Sequence, residues 1–104
     1  MAALDPAIGS EIQKTRPVLV VSNNKNNTYN SVVTILPITS NVSFVAAFEV
    51  FLPAGTGNLP KNSKAKADQI RTLDKQRLIK KIGQLPSRFA DSVDGALRLH
   101  LGVG

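Results

Sequence analysis

Thr15-Arg16-Pro17-Val18-Leu19-Val20-Val21-Ser22-Asn23 decides the fold. β-Branched valines favour a pleated backbone, and an unbroken apolar run implies cover on both faces of a strand. Pro17 has no N–H to give to a ladder, so it belongs on the first rung. Arg16 is then set at the rim, where a guanidinium stays wet beside a buried scaffold. Asn23-Asn24 and Asn26-Asn27 supply turn chemistry at the exit.

Working outward, residues Ala2 to Lys14 read as a loop from their Asp5-Pro6 and Gly9-Ser10 pairs. Beyond the asparagine-rich turn, Val32 to Thr39 forms a second strand. Pro37 removes a ladder donor there and predicts a sheet edge or a bulge. Phe44 to Leu52 alternates as a third strand, with Phe48, Val50 and Leu52 on one face and Ala47, Glu49 and Phe51 on the other. Leu52 to Pro60 is a long surface loop. Its Gly55-Thr56-Gly57 invites comparison with a phosphate-binding loop, but no Gly-Lys-Ser/Thr follows and no helix opens there.

From Ser63 to Arg71, Lys64 and Lys66 alternate with Ala65 and Ala67, which predicts a strand with one solvated face. Leu78 to Leu85 could add a short strand, broken by Gly83. Pro86-Ser87 opens an amphipathic helix in which Ser87 is the expected cap. Phe89, Val93, Leu97 and Leu101 form its apolar stripe, Asp94 and Arg98 pair on its outer side, and Gly102 ends it. His100, beside the stripe, reads as a surface or packing residue rather than a ligand. Short strands followed by one helix predict a mainly β fold, a small bent sheet or half-open barrel backed by a C-terminal helix.

The 104 residues, 42% of them hydrophobic, suit one domain over residues 1–104. With no cysteine and one histidine, disulfides and thiolate metal sites are excluded, and an imidazole-based site has little to draw on. No run approaches the ~18 apolar residues of a membrane span, so the cytoplasm is the expected compartment. The net charge is +6. Between Lys61 and Lys81 basic residues crowd together with only Asp68 and Asp74 as acids, which suits either a solvated face or a footprint for a polyanion.

No serine, histidine and acid set presents itself. RNA relaxes that requirement, because each phosphodiester has its own nucleophile in the neighbouring 2′-hydroxyl. A fixed guanidinium with a nearby hydroxyl could position the chain and stabilise charge growing on phosphate without a metal. Arg16, at the entrance of one apolar strand, and Thr39, at the exit of the next, would share a rim if those strands pair antiparallel. Spacing alone leaves both as ordinary strand ends.

Four blocks in order, Gly9-Ser10-Glu11, Thr15 to Ser22, Pro37-Ile38-Thr39-Ser40 and Asp68 to Leu78, resemble the MazF/PemK family of toxin ribonucleases, from about Leu4 almost to the end of the chain. The resemblance implies the toxin of a toxin–antitoxin pair, an SH3-like barrel with a C-terminal helix, a homodimer, and metal-independent, cofactor-free cutting of single-stranded RNA at short sequences. It implies that Arg16 and Thr39 are catalytic and that Glu11 matters for activity. Arg16 would transfer a proton or stabilise phosphate charge, and Thr39 would hydrogen-bond the scissile phosphate. The RNA-binding set expected with them is Lys14, Ser40, Lys64, Lys66, Asp68, Gln69 and Arg71. Lys66 and Asp68 match a basic residue and an acid of one branch, which has arginine in place of the lysine. Base readout is expected from the loops 7–15 and 42–46, and Phe44 is a core residue or a stacking platform.

Two departures stand out. Family members usually open with a Gly-Asp-Ile/Val-aromatic strand where this chain has only Met1-Ala2-Ala3, so a shortened N-terminal strand is expected; a barrel edge is open if the chain is complete, and an altered or trimmed start explains the gap equally well. Ile12 also stands where many members have glutamine. The competing readings are a non-catalytic RNA- or antitoxin-binding remnant and a gyrase poison of the CcdB type. The latter family has a tryptophan-containing tail, which this chain lacks.

Overall fold

The computed structural model describes residues 7–10 and 16–103; Glu11, Lys14 and residues 1–6, where a shortened N-terminal strand is expected, lie outside the described residues. The elements run β1 (Ala7–Ser10), β2 (Pro17–Val20), α1 (Asn24–Tyr29), β3 (Val32–Thr39), β4 (Glu49–Leu52), β5 (Ser63–Lys66), β6 (Arg71–Asp74) and α2 (Ala90–Leu101). All pairing is antiparallel, in the order β1-β2-β3-β5-β4, with β6 also on β3. Among the described residues β1 and β4 are not paired with each other, so the sheet is not closed, in keeping with the half-open alternative.

β2 starts at Pro17 and runs through the apolar stretch, whose side chains go to opposite faces. Leu19 joins Leu36, Ile38, Val50 and Leu52 in the main core under α2, while Val18 and Val20 join Val33, Ile35 and Leu73 in a second cluster. Both faces of the run are covered, which explains its lack of polar alternation.

β3 occupies the predicted bounds, but Pro37 is on neither an edge nor a bulge. β3 is central, and along one edge its partner changes. Val32 to Ile35 pair with β6, and Ile38 and Thr39 pair with β5. Pro37 falls in the gap between these partners, where no neighbouring strand needs its missing N–H. The 63–71 segment is divided to match, with β5, a 3₁₀ turn at Ala67–Gln69 and β6 in place of one strand.

Other expectations need correction. Residues 7–10, read as loop, form β1 because β2 offers them an edge. The asparagine-rich turn contains a helix, α1, which has no buried residue and is held by local bonds: the Asn23 side chain accepts from Asn26 N at 2.9 Å, and Asn27 Nδ2 donates to Ser22 O at 3.0 Å. Only Glu49–Leu52 of the third strand is extended, and Phe44 is 72% exposed, so its core role is excluded. Leu78 and Gly83 make isolated bridges rather than a strand.

The final helix begins through a 3₁₀ turn at Ser87–Phe89, so Ser87 is its first residue and caps nothing. Val93 and Ala96 are buried, with Phe89 and Leu97 packed beside them, but Leu101 is exposed and Asp94 forms no ion pair with Arg98. Gly102 ends the helix at φ 69°, its N–H donating to Arg98 O, a left-handed cap that suits glycine. The exposed His100 ring sits 6.3 Å from the Phe48 ring.

Gly55-Thr56-Gly57 is a packed turn with Thr56 buried, and it opens no α-helix. Asn58 Nδ2 donates to Ile82 O at 2.8 Å, and a Cβ on Gly83 would meet Gly57 O at 2.1 Å. Backbone faces backbone there, with no flexible side chain to yield. Gly83→Ala is therefore expected to cost about 2–3 kcal/mol, read as a lower urea midpoint at unchanged slope.

Candidate active site

The β2–β3 register pairs Val18 with Pro37. Carried two residues further, it sets Arg16 opposite Thr39, and Thr39 is itself paired with Lys64 of β5. Directly opposed residues in antiparallel strands project from the same face. A row of guanidinium, hydroxyl and ammonium therefore crosses three strands on the face away from α2. Arg16 is exposed and Thr39 is half-buried.

Two clefts meet at this pair. The first, of about 410 Å³, is floored by Val18 and Pro37 and walled by Lys64, Lys66, Gln69 and Arg71. The second, of about 510 Å³, turns over the strand ends between Ser40, Lys61, Ser63 and Ile82. Both are lined by Arg16, Pro17, Ile38 and Thr39, so the two strand ends form the ridge at which the clefts meet. Thr39 Oγ1 accepts from Asn41 N at 3.2 Å, leaving its hydroxyl hydrogen available for an anion.

The expected site residues divide clearly. Arg16, Thr39, Lys64, Lys66, Gln69 and Arg71 are assembled at the first cleft, and Ser40 at the second. Asp68 lines neither, and its Oδ1 is shielded from solvent without a hydrogen-bond partner. The lysine face of β5 is not simply solvated. Lys64 is only 9% exposed, and its ammonium donates to Phe44 O at 2.6 Å and to Glu49 Oε1 at 3.0 Å. Lys66 reaches Glu49 Oε2 at 3.3 Å.

Glu49 is the residue that sequence reasoning missed. Alternation put it on the face opposite Phe48, Val50 and Leu52 and gave it no role, yet its side chain is only 4% exposed. Burial pushes its carboxyl up, but the Ala46 N–H and the two lysines together hold it below the ordinary value of 4.5. Through Ala46 N at 2.8 Å and through Lys64 on Phe44 O, this carboxylate ties the 42–46 loop to the cleft wall. The usable signal was its register: a lone acid in an apolar strand, beside a strand carrying lysines two apart.

The chain matches the family model described as PemK-like, MazF-like toxin of type II toxin–antitoxin systems over residues 1–101. It is 42% identical over 105 residues to endoribonuclease MazF9 of Mycobacterium tuberculosis, covering 96% of this chain and 89% of that protein. The Mycobacterium tuberculosis toxin MazF-mt6 superposes with a TM-score of 0.85 at 25% identity, over 94% of this chain and 98% of that one. A MazE–MazF crystal structure from Deinococcus radiodurans superposes at 0.79 with 26% identity, covering 100% of each chain.

Glu49 with its two lysines supplies a test of the geometry. A carboxyl whose folded pKa is depressed stabilises fully above its unfolded value, and that stability is lost as pH falls through the folded value. The parent should thus lose stability below about pH 4.5. Glu49→Gln, which leaves Lys64 buried beside a neutral amide, should cost about 3 kcal/mol at pH 7. The gap between the two proteins in urea unfolding should narrow on acidification. With the mainly antiparallel sheet and the C-terminal helix both in agreement with the match, the chain belongs to the PemK-like, MazF-like toxin family of type II toxin–antitoxin systems.

Proposed function

We propose that this toxin is an endoribonuclease that cuts single-stranded RNA at a short sequence, without a metal, by letting the RNA attack itself. The observation that carries this reading is Arg16 set opposite Thr39 on a ridge flanked by a cationic cleft. The RNA 2′-hydroxyl attacks the adjacent phosphorus, the bond to the 5′-oxygen breaks, and a 2′,3′-cyclic phosphate and a 5′-hydroxyl result. One proton leaves the 2′-oxygen and one reaches the departing 5′-oxygen.

Arg16 stabilises the charge that builds on the non-bridging oxygens. A guanidinium is a fixed, delocalised cation with donors and no acceptor, which suits it to that role better than to removing a proton. The Thr39 hydroxyl donates to the same phosphate. Glu11 is assigned to proton transfer. Lys66, Gln69, Arg71, Ser40 and Lys14 hold the flanking chain, while Asp68, which lines neither cleft, is kept in the RNA-binding set on the family resemblance alone. Lys64 shapes the cleft wall while its own charge is tied to Glu49.

The toxin acts in the cytoplasm as a homodimer, and an acidic segment of a cognate antitoxin neutralises it by covering the basic face. Family membership supports both partners, and the MazE–MazF assembly of the Deinococcus protein supports the second. Among the described residues no helix is long and apolar enough to cross a membrane.

Cleavage of a mixed RNA pool in chelator tests the mechanism. Cyclic-phosphate ends should form, and Arg16→Ala should fold normally while losing about 10²-fold or more in rate. A single deoxyribose at the scissile position should abolish cutting there. Equal cutting of that oligomer and its all-ribose twin would overturn self-attack.

A further inference from the structure

The lysines around Arg16 and Thr39 differ in what holds them. Lys64 and Lys66 both face Glu49, so one carboxylate offsets part of the charge that β5 brings to the first cleft. Lys61, on the wall of the second cleft, forms no ion pair or side-chain hydrogen bond among the described residues. Its backbone is nevertheless fixed. Ser63 Oγ donates to Lys61 O at 2.9 Å, and Asn62 Oδ1 accepts from Ala54 N at 2.8 Å. An uncompensated ammonium on a pinned backbone is a better anchor for an anion than one already committed to a carboxylate.

The second cleft matches this cation with the rest of a nucleotide site. Pro17, Pro60 and Ile82 provide apolar walls, and Ser40 and Ser63 provide hydroxyls. Its volume, about 510 Å³, lies within the roughly 300–1,000 Å³ of small-molecule clefts. The Arg16–Thr39 ridge separates it from the first cleft, so a strand with its scissile phosphate on the ridge must send its two flanks to different sides.

We propose that the second cleft is an RNA subsite in which Lys61 holds the phosphate next to the scissile one, and the intervening base rests on Pro17, Pro60 and Ile82. This rests on the ribonuclease reading above. Lys61 here is a binding residue that acts on affinity, while Arg16 and Thr39 act on the broken bond.

The test uses the full chain and an RNA oligomer made uncleavable by one deoxyribose at the scissile position. Affinity is measured against salt for the parent, Lys61→Gln, Lys61→Arg and Lys25→Gln, the last removing one exposed charge on α1. Lys61→Gln should bind about 5–10-fold more weakly and lower the slope of log K against log salt by about 0.7, the value for one single-strand phosphate contact. Lys61→Arg should bind like the parent, and Lys25→Gln should stay within about twofold. Trimming the oligomer from one end should cost the parent affinity that Lys61→Gln no longer loses. Because Lys61 is exposed, its variants should keep the parent's urea midpoint.

A Lys61→Gln protein that matches the parent in affinity and salt slope overturns the subsite and leaves the ribonuclease reading standing. So does one no weaker than Lys25→Gln. A parent that neither binds this oligomer nor cuts its all-ribose twin overturns both.

Discussion

Everything in this fold depends on β3 having neighbours on both edges and exchanging one of them partway. β2 pairs with Ile35 to Pro37 on one side, while β6 gives way to β5 on the other. A strand constrained in this way must sit at the centre, and the chain crossing from β5 to β6 must turn beside its middle. Proline satisfies the constraint, since it lacks the donor that the gap would leave without a strand partner. The exchange places Thr39 beside β5 and its lysines and leaves Val33 and Ile35 to the second apolar cluster.

The two faces of β3 thereby acquire different tasks. Leu36 and Ile38 enter the core below α2, where burial supplies most of the stabilisation. On the opposite face, apolar packing by Val33 and Ile35 gives way to Pro37 and Thr39, the floor and ridge of the clefts. The polar row is therefore held by strands whose other faces are sealed. Rigid backing of this kind fixes the backbone from which the guanidinium and the hydroxyl project.

Charge organises the rest. A buried carboxylate flanked by two ammonium groups is costly to desolvate, and breaking it is costlier. At Glu49 the arrangement also links β4, β5 and the preceding loop, so the backbone at the exposed Phe44 is tied to the wall of the first cleft. The same partition separates cations that hold the fold together from cations still free to meet an anion, a distinction that net charge hides.

Local chemistry in the chain determined a good deal. The apolar run with its leading proline specified β2, the bounds of β3 were readable, Gly102 was a stop, and Arg16 and Thr39 were recognisable as strand ends. Each follows from backbone sterics or side-chain period within a few residues. Tertiary structure alone decided the pairing of residues 7–10, the exchange at Pro37, the exposure of Phe44 and the burial of Lys64 and Glu49. Those outcomes depend on which distant strand lies alongside, and a side-chain period of two says which face a residue takes but not what will cover it.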